Sequence, residues 1–313
     1  MSHSEKILCF ASGGVEIGFG HLYRLTNIIE IMGLKNKSIF LATNDIESQF
    51  LKKRKFKIIK QQTHNDFNFS YAFVDSKYDC MDMIDGFFKN KENTIIIDRV
   101  DRWAIHSGEV IVPSFFINKD KIKKSYISEN SILWGKHYSV LKEPKLYKKE
   151  LNDKILLTFG GSDPNDISSI VLNLLYDSNY MNRLKIIIGP GYKHKKDYLL
   201  SKYPEIDFVF NSEDMQTEIA NASIIITSFG TILQEAEYYG KKVILAFNYD
   251  DDESDFKWLL KATRNPDNWI SLRNYKFINR NNLFRAIESL DLILESEIDS
   301  DQHWGSSWKT LLN

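Results

Sequence analysis

The sequence predicts an α/β chain of two doubly wound, Rossmann-like domains, and three observations predict it. Short apolar, β-branched runs alternate with segments of helical period. The alternation breaks in a polar, charged stretch at 142–153 and then restarts. Glycine-rich or hydroxyl-rich turns follow several of the runs, where open α/β sheets place their ligands.

The first run, 7–10, opens onto a turn with glycines at 13, 14, 18 and 20 and enters a helical pattern at His21. Runs at 38–42, 57–60, 94–97, 109–112 and 131–133 continue the rhythm, so a first domain is expected over 1–145. Runs at 155–159, 185–188, 208–210, 223–227 and 243–247 build a second domain over 150–295. Strands this apolar on both faces need helices on both sides, and 166–176, 231–239 and 281–295 carry the stripes that supply them. The tail, 296–313, with Trp304 and Trp308, is expected to dock on the first domain. Two such domains facing each other make a cleft beyond the carboxyl ends of their strands.

Composition narrows the partners. With 41 basic and 42 acidic residues the net charge is −1, which gives no basic excess for nucleic acid. Lysine runs at 52–57, 119–124 and 142–149 read as solvated faces. Two cysteines, Cys9 and Cys80, fit a reducing cytoplasm and are too few for a disulfide framework. The N-terminus has no secretory apolar region and no window reaches the ~18 apolar residues of a membrane span, so a cytoplasmic protein is expected, with peripheral membrane contact left open.

Three turns carry candidate chemistry. Gly18 and Gly20 permit close backbone approach, the following helix turns its free amides toward the loop, and His21 stands at its mouth, placed for proton transfer. The spacing departs from the dinucleotide fingerprint, because Leu22, Tyr23 and Arg24 follow where a third glycine belongs; only Asp45 keeps that reading alive. Gly160, Gly161 and Ser162, followed by Asp163, form a turn whose amides suit a pyrophosphate; as an ordinary strand-to-helix turn it would be capped by Ser162 or Asp163. Ser228, Gly230 and Thr231 form a hydroxyl-rich helix start suited to phosphate oxygens, with Gln234 and Glu235 one turn in. A carboxylate at Glu235 suits a ribose diol. Three such turns point to a nucleoside diphosphate ligand. Asp250, Asp251 and Asp252 read as a solvated acidic turn, so neither a metal nor a cofactor is expected.

In order along residues 6–260, the chain carries Ile17-Gly18-Phe19-Gly20-His21 with Arg24, the segment 135–141 (GKHYSVL), Gly160-Gly161-Ser162-Asp163-Pro164, the segment 228–236, and Asn248. This ordered set resembles the PseG/SpsG-like UDP-sugar hydrolases of pseudaminic acid biosynthesis and related glycosyltransferases such as the lipid II-forming MurG type. The resemblance implies a GT-B fold, with a first domain for acceptor and catalysis and a second for the uridine nucleotide. It implies that His21 is the catalytic base, that Glu235 binds the ribose, and that Asn248 lies near the sugar. Arg99 or Arg24 would stand near the sugar or pyrophosphate; Arg24 could equally anchor the first helix.

The chain departs from the hydrolases on the sugar side. It has Phe10-Ala11-Ser12 where they carry Arg-x-Asp, Asp98-Arg99-Val100 where they carry Asp-His-Tyr, and Gln234-Glu235 where Asn-Glu is common. These departures favour an inverting glycosyltransferase of bacterial surface-glycan biosynthesis, using a UDP-linked donor and a glycan or other hydroxyl acceptor. The alternative is a hydrolase with water as nucleophile, and a further alternative a catalytically silent nucleotide-sugar-binding protein.

Overall fold

The computed structural model describes residues 6–14, 18–60, 68–97, 108–122, 132–141, 153–194, 196–212, 214–294, 296–299, 301 and 303–312. The chain forms two compact units, one of residues 1–142 and 302–313, the other of residues 143–301.

The first unit runs β1 (Lys6–Ala11), α1 (Gly20–Ile31), β2 (Ser38–Ala42), α2 (Asp45–Lys53), β3 (Lys57–Lys60), β4 (Phe69–Asp75), α3 (Met81–Asp85), β5 (Thr94–Ile97), β6 (Glu109–Val112), α4 (Lys119–Ile122) and β7 (Ile132–Trp134). Its strands are parallel, in the order β3-β2-β1-β4-β5-β6-β7.

The second unit runs β8 (Ile155–Leu157), α5 (Ile167–Leu175), β9 (Leu184–Ile188), α6 (Lys196–Lys202), β10 (Asp207–Phe210), α7 (Met215–Ala220), β11 (Ile224–Thr227), α8 (Ile232–Tyr238), β12 (Lys242–Phe247), α9 (Asp252–Ala262), β13 (Trp269–Asn274) and α10 (Arg280–Asp291). Its strands are also parallel, in the order β10-β9-β8-β11-β12-β13. Each sheet grows outward from its first strand and then reverses direction. The reversals fall between β1 and β4 and between β8 and β11, and the crevice beyond such a point is where open α/β sheets bind ligands.

Burial follows the period of two. Ile7, Cys9 and Ala11 of β1 face Leu22, Leu25, Ile28 and Ile29 of α1, while Leu8 and Phe10 face the opposite layer with Met81 and Ile84. The helices start where their caps place them. Asn44 caps α2 by accepting from the Glu47 amide, and Asn279 and Asn282 form a reciprocal capping box on α10. Cys9 is buried, Cys80 half-buried, and both are free thiols. Among the described residues no helix is long and apolar enough to cross a membrane.

The last residues pack on the first unit. Trp308 is 0% exposed within the α1 side of that core, and its indole N–H donates to the Tyr138 carbonyl at 2.9 Å. Gly305 turns the chain with φ +67 where an added Cβ would lie 2.9 Å from the Ser139 carbonyl, and its amide donates to the Lys136 carbonyl at 2.9 Å. Trp308→Ala is therefore expected to destabilise the first unit by about 3–5 kcal/mol, read as a lower urea midpoint. An unchanged midpoint would show that the tail is an ornament of that core.

Candidate active site

β1 ends at the first reversal and leaves through Ser12 and Gly13. Gly14 and Gly18 close the turn on each other, with N···O distances of 3.1 and 2.7 Å, and Gly18 takes φ +83, a conformation that favours glycine. A Cβ on Gly13 would lie 2.1 Å from Leu22 Cδ1, so the turn presses directly on α1. The buried Glu47 carboxylate holds it from the other side, accepting from the Gly13 amide at 3.0 Å and the Thr43 amide at 2.7 Å. At Gly20 an added Cβ meets nothing within 4 Å, so packing does not require glycine there.

His21 and Arg24 are three residues apart in α1 and share one helix face. That face meets Asp75, the last residue of β4, which pairs beside Ala11 of β1. Asp75 is 0% exposed. Its Oδ1 lies 2.6 Å from His21 Nδ1 and accepts from Arg24 Nη2 at 2.5 Å; its Oδ2 accepts from Arg24 Nε at 2.6 Å. Burial opposes the ionised carboxylate, but the Arg24 guanidinium and then His21 outweigh it and hold Asp75 below the usual carboxylate range.

This geometry selects one tautomer. A bare Nδ1 would turn its lone pair on the carboxylate at 2.6 Å, so Nδ1 carries the proton and donates to Asp75. The 3.1 Å approach of Arg24 Nη2 to Nδ1 is then a contact between two donors converging on Oδ1. In the neutral ring the free lone pair is on Nε2, and with the side chain 15% exposed the imidazole is reachable.

At the second reversal, β8 leads into Gly160 (φ +74), Gly161 and Ser162. The turn is braced by the chain after β9, where the Gly191 amide donates to the Gly161 carbonyl at 2.7 Å and a Cβ on Gly189 would lie 2.3 Å from the Gly160 carbonyl. The amides that open α5 are not available to a phosphate as expected. Buried Asp163 accepts from Ile167 and Ser168 N–H, both at 2.9 Å, so the chain's own carboxylate fills the start of the helix. Burial pushes the Asp163 carboxyl up, against those amide bonds, which favour its ion. Only the turn itself, Gly160 to Ser162, remains from that part of the sequence reading.

β11, which pairs beside β8, ends at Thr227 and passes through buried Ser228 and exposed Gly230 and Thr231 into α8. The first turn is tight: Leu233 N–H donates to the Gly230 carbonyl at 3.3 Å and Gln234 N–H to Thr231 at 3.1 Å. Gln234 is buried and Glu235 half-buried in that turn. Asn248, beyond β12, accepts from Asn165 Nδ2 at 3.0 Å, which joins it to the loop after β8.

The acidic turn is exposed at Asp250 and Asp251, as its sequence reading expects, and differs from it at Asp252. Asp252 is 5% exposed and accepts the Asn248 and Tyr249 amides, both at 3.1 Å, so it is an internal brace and not a solvated residue. Arg99 lies outside the described residues. Gly18, Gly20, His21 and Arg24 gather in the first unit, and Gly160, Gly161, Ser162, Ser228, Gly230, Thr231, Gln234, Glu235 and Asn248 in the second. Asp75 and Glu47 were missed by the sequence reading of the site, and Asp163 entered it only as a cap; Asp75 ends an unread strand.

No model of a known protein family matches the chain. The uncharacterized protein MJ1062 of Methanocaldococcus jannaschii is 25% identical over 279 residues, which are 79% of this chain and 58% of MJ1062. The chain thus spans less than two thirds of that relative. Among solved structures, Anabaena Alr3699/HepE in complex with UDP-glucose superposes with a TM-score of 0.58 at 11% identity, over 98% of this chain and 94% of that one. MurG of Acinetobacter baumannii gives 0.57 at 11% identity, over 98% and 99%. The fold is GT-B. The UDP-GlcNAc 2-epimerase of Methanocaldococcus jannaschii, with a TM-score of 0.55 at 12% identity over 98% of both chains, has it too. Within this GT-B chain the paired His21 and Asp75 stand at one reversal point and the Gly160 and Ser228 turns at the other.

Proposed function

We propose that the chain is a nucleotide-sugar enzyme that displaces the nucleoside diphosphate at the anomeric carbon with inversion, acting as a glycosyltransferase on a UDP-linked donor. The observation that carries this reading is His21, oriented by a buried carboxylate at the switch point of the first sheet. The solved neighbours named for UDP-glucose and UDP-GlcNAc support the choice of donor.

In this mechanism His21 Nε2 takes the proton of the attacking hydroxyl as its oxygen bonds to the anomeric carbon and the diphosphate leaves. Asp75 holds the ring in the Nδ1–H tautomer and stabilises the imidazolium that forms. Arg24 keeps Asp75 ionised and fixed in place. The diphosphate rests on the Gly160–Ser162 backbone and the Ser228–Thr231 turn, Glu235 takes the ribose, and Asn248 stands near the sugar. Donors fixed before the reaction stabilise the leaving charge without reorganising.

Calorimetric titration with UDP, CDP and GDP, followed by incubation with UDP-sugars with and without a hydroxyl acceptor, tests the proposal. The expected result is UDP binding with slow donor loss in water and faster loss with acceptor. Acceptor-independent release of free sugar at ordinary enzyme rates would make water the nucleophile and the chain a hydrolase. Binding without turnover of any donor would leave a sugar-nucleotide-binding protein, and no binding to any nucleotide would reject the reading altogether.

A further inference from the structure

The edge of the second sheet carries a feature that the proposed reaction does not use. β13 closes the strand order, and among the described residues it pairs with β12 alone. Beside it runs a groove of about 610 Å³, walled by β13 on one side and by Asn282, Arg285, Ala286 and Ser289 of α10 on the other. Those four lie on one face of the helix by their spacing.

The groove has an apolar floor and a cationic rim. Ile270, Leu272 and Ala286 contribute the floor, Arg273 and Arg285 the charge, and Phe277, which is 64% exposed, stands at one end. No lining residue carries a carboxylate, and among the described residues neither arginine has an acidic partner. The sequence around it is lopsided as well: residues 268–289, which span the lining, contain Arg273, Lys276, Arg280 and Arg285 against Glu288 alone, in a chain of net charge −1. A register shift between Leu245 and Phe247 of β12 leaves an extra residue on β13, and Arg273 there takes φ +63. Such bulges re-aim a side chain at a sheet edge.

We propose that this groove binds an extended acidic segment of a partner protein, which adds a strand to β13 and places its carboxylates against Arg273 and Arg285. The strand edge supplies main-chain hydrogen bonds at positions other than Arg273, whose amide already donates to Ser271 Oγ at 2.9 Å, half-buried Ile270 and exposed Phe277 meet alternate side chains, and the two guanidiniums select for acid. The concave form between strand and helix suits a strand-wide segment better than the flat face of a bilayer.

Fluorescence anisotropy on the full chain tests it with a labelled seven-residue peptide of alternating Glu and Val. The expected result is saturable binding that weakens with salt and falls roughly tenfold or more in Arg273→Glu/Arg285→Glu, while UDP binding is unchanged. A second peptide with Pro at its central position keeps the charge but cannot donate to the ladder, and it should bind at least several-fold more weakly. Equal binding of the two peptides would reduce the site to a charged surface and overturn strand addition. No binding of either peptide overturns the proposal, and co-sedimentation with anionic phospholipid vesicles in that case, lost in the double variant, would assign the surface to lipid.

Discussion

His21→Ala is expected to lower turnover of the proposed nucleotide-sugar donor by about 10²- to 10⁴-fold, the usual worth of a positioned general base. UDP affinity should stay within error of the parent, because the residues proposed to hold the nucleotide belong to the second unit. The fold survives the substitution: Arg24 still occupies both oxygens of Asp75, so the buried charge keeps its partner. Single-turnover kinetics with saturating donor and calorimetry with UDP on the same preparation separate the two effects. A variant that turns over normally would move the base elsewhere, and one that loses UDP affinity as well would place His21 in donor binding. Because Nε2 is the atom with the free lone pair, His21→Gln, which cannot accept and release a proton near neutral pH, should match the alanine variant in rate.

The two-sheet architecture was legible because parallel strands buried on both faces write themselves as continuous apolar runs, as at 224–227 and 242–247. β4 and β13 were not. In β4, Ser70 and Tyr71 interrupt the apolar run, although it occupies the centre of its sheet; β13 ends at the edge in exposed Arg273 and in buried Asn274, whose side chain bonds to Asp250 and the Lys276 amide, so polar residues break its apolar pattern. Missing β4 also hid Asp75. His21 and Arg24 could be singled out from the glycine-rich turn and helical spacing, but their partner lies more than 50 residues away, and only the β1–β4 pairing brings it beneath them. A strand that ends in an acidic residue next to the first strand was the signal available. The helix after Gly160 was left between two readings for a different reason. A glycine-rich turn advertises free amides, whereas whether a nearby Asp consumes them depends on one backbone conformation, the positive φ of Asp163.

Asp75→Asn should be the most damaging single substitution at the site, since it acts on catalysis and stability together. The asparagine oxygen can still accept from His21 Nδ1–H, but its NH₂ then faces Arg24 Nε where an acceptor stood at 2.6 Å, and the guanidinium loses its counter-charge. Breaking a buried pair from one side costs about 3–5 kcal/mol, so the urea midpoint at neutral pH drops clearly. Turnover falls too, toward the His21→Ala level, because the imidazolium formed on proton transfer has lost the carboxylate that stabilises it. The pH dependence identifies the cause. Asp75 is held below the usual carboxylate range when folded, so its contribution is complete above the unfolded value of about 3.9 and is lost as the pH falls through the folded value. The stability gap between parent and variant should therefore stay constant from neutral pH down to about 4 and narrow only in stronger acid. A gap that already narrows between neutral pH and about 4 would rule out Asp75 as the titrating group, and a variant of full activity would leave the carboxylate with a purely structural role.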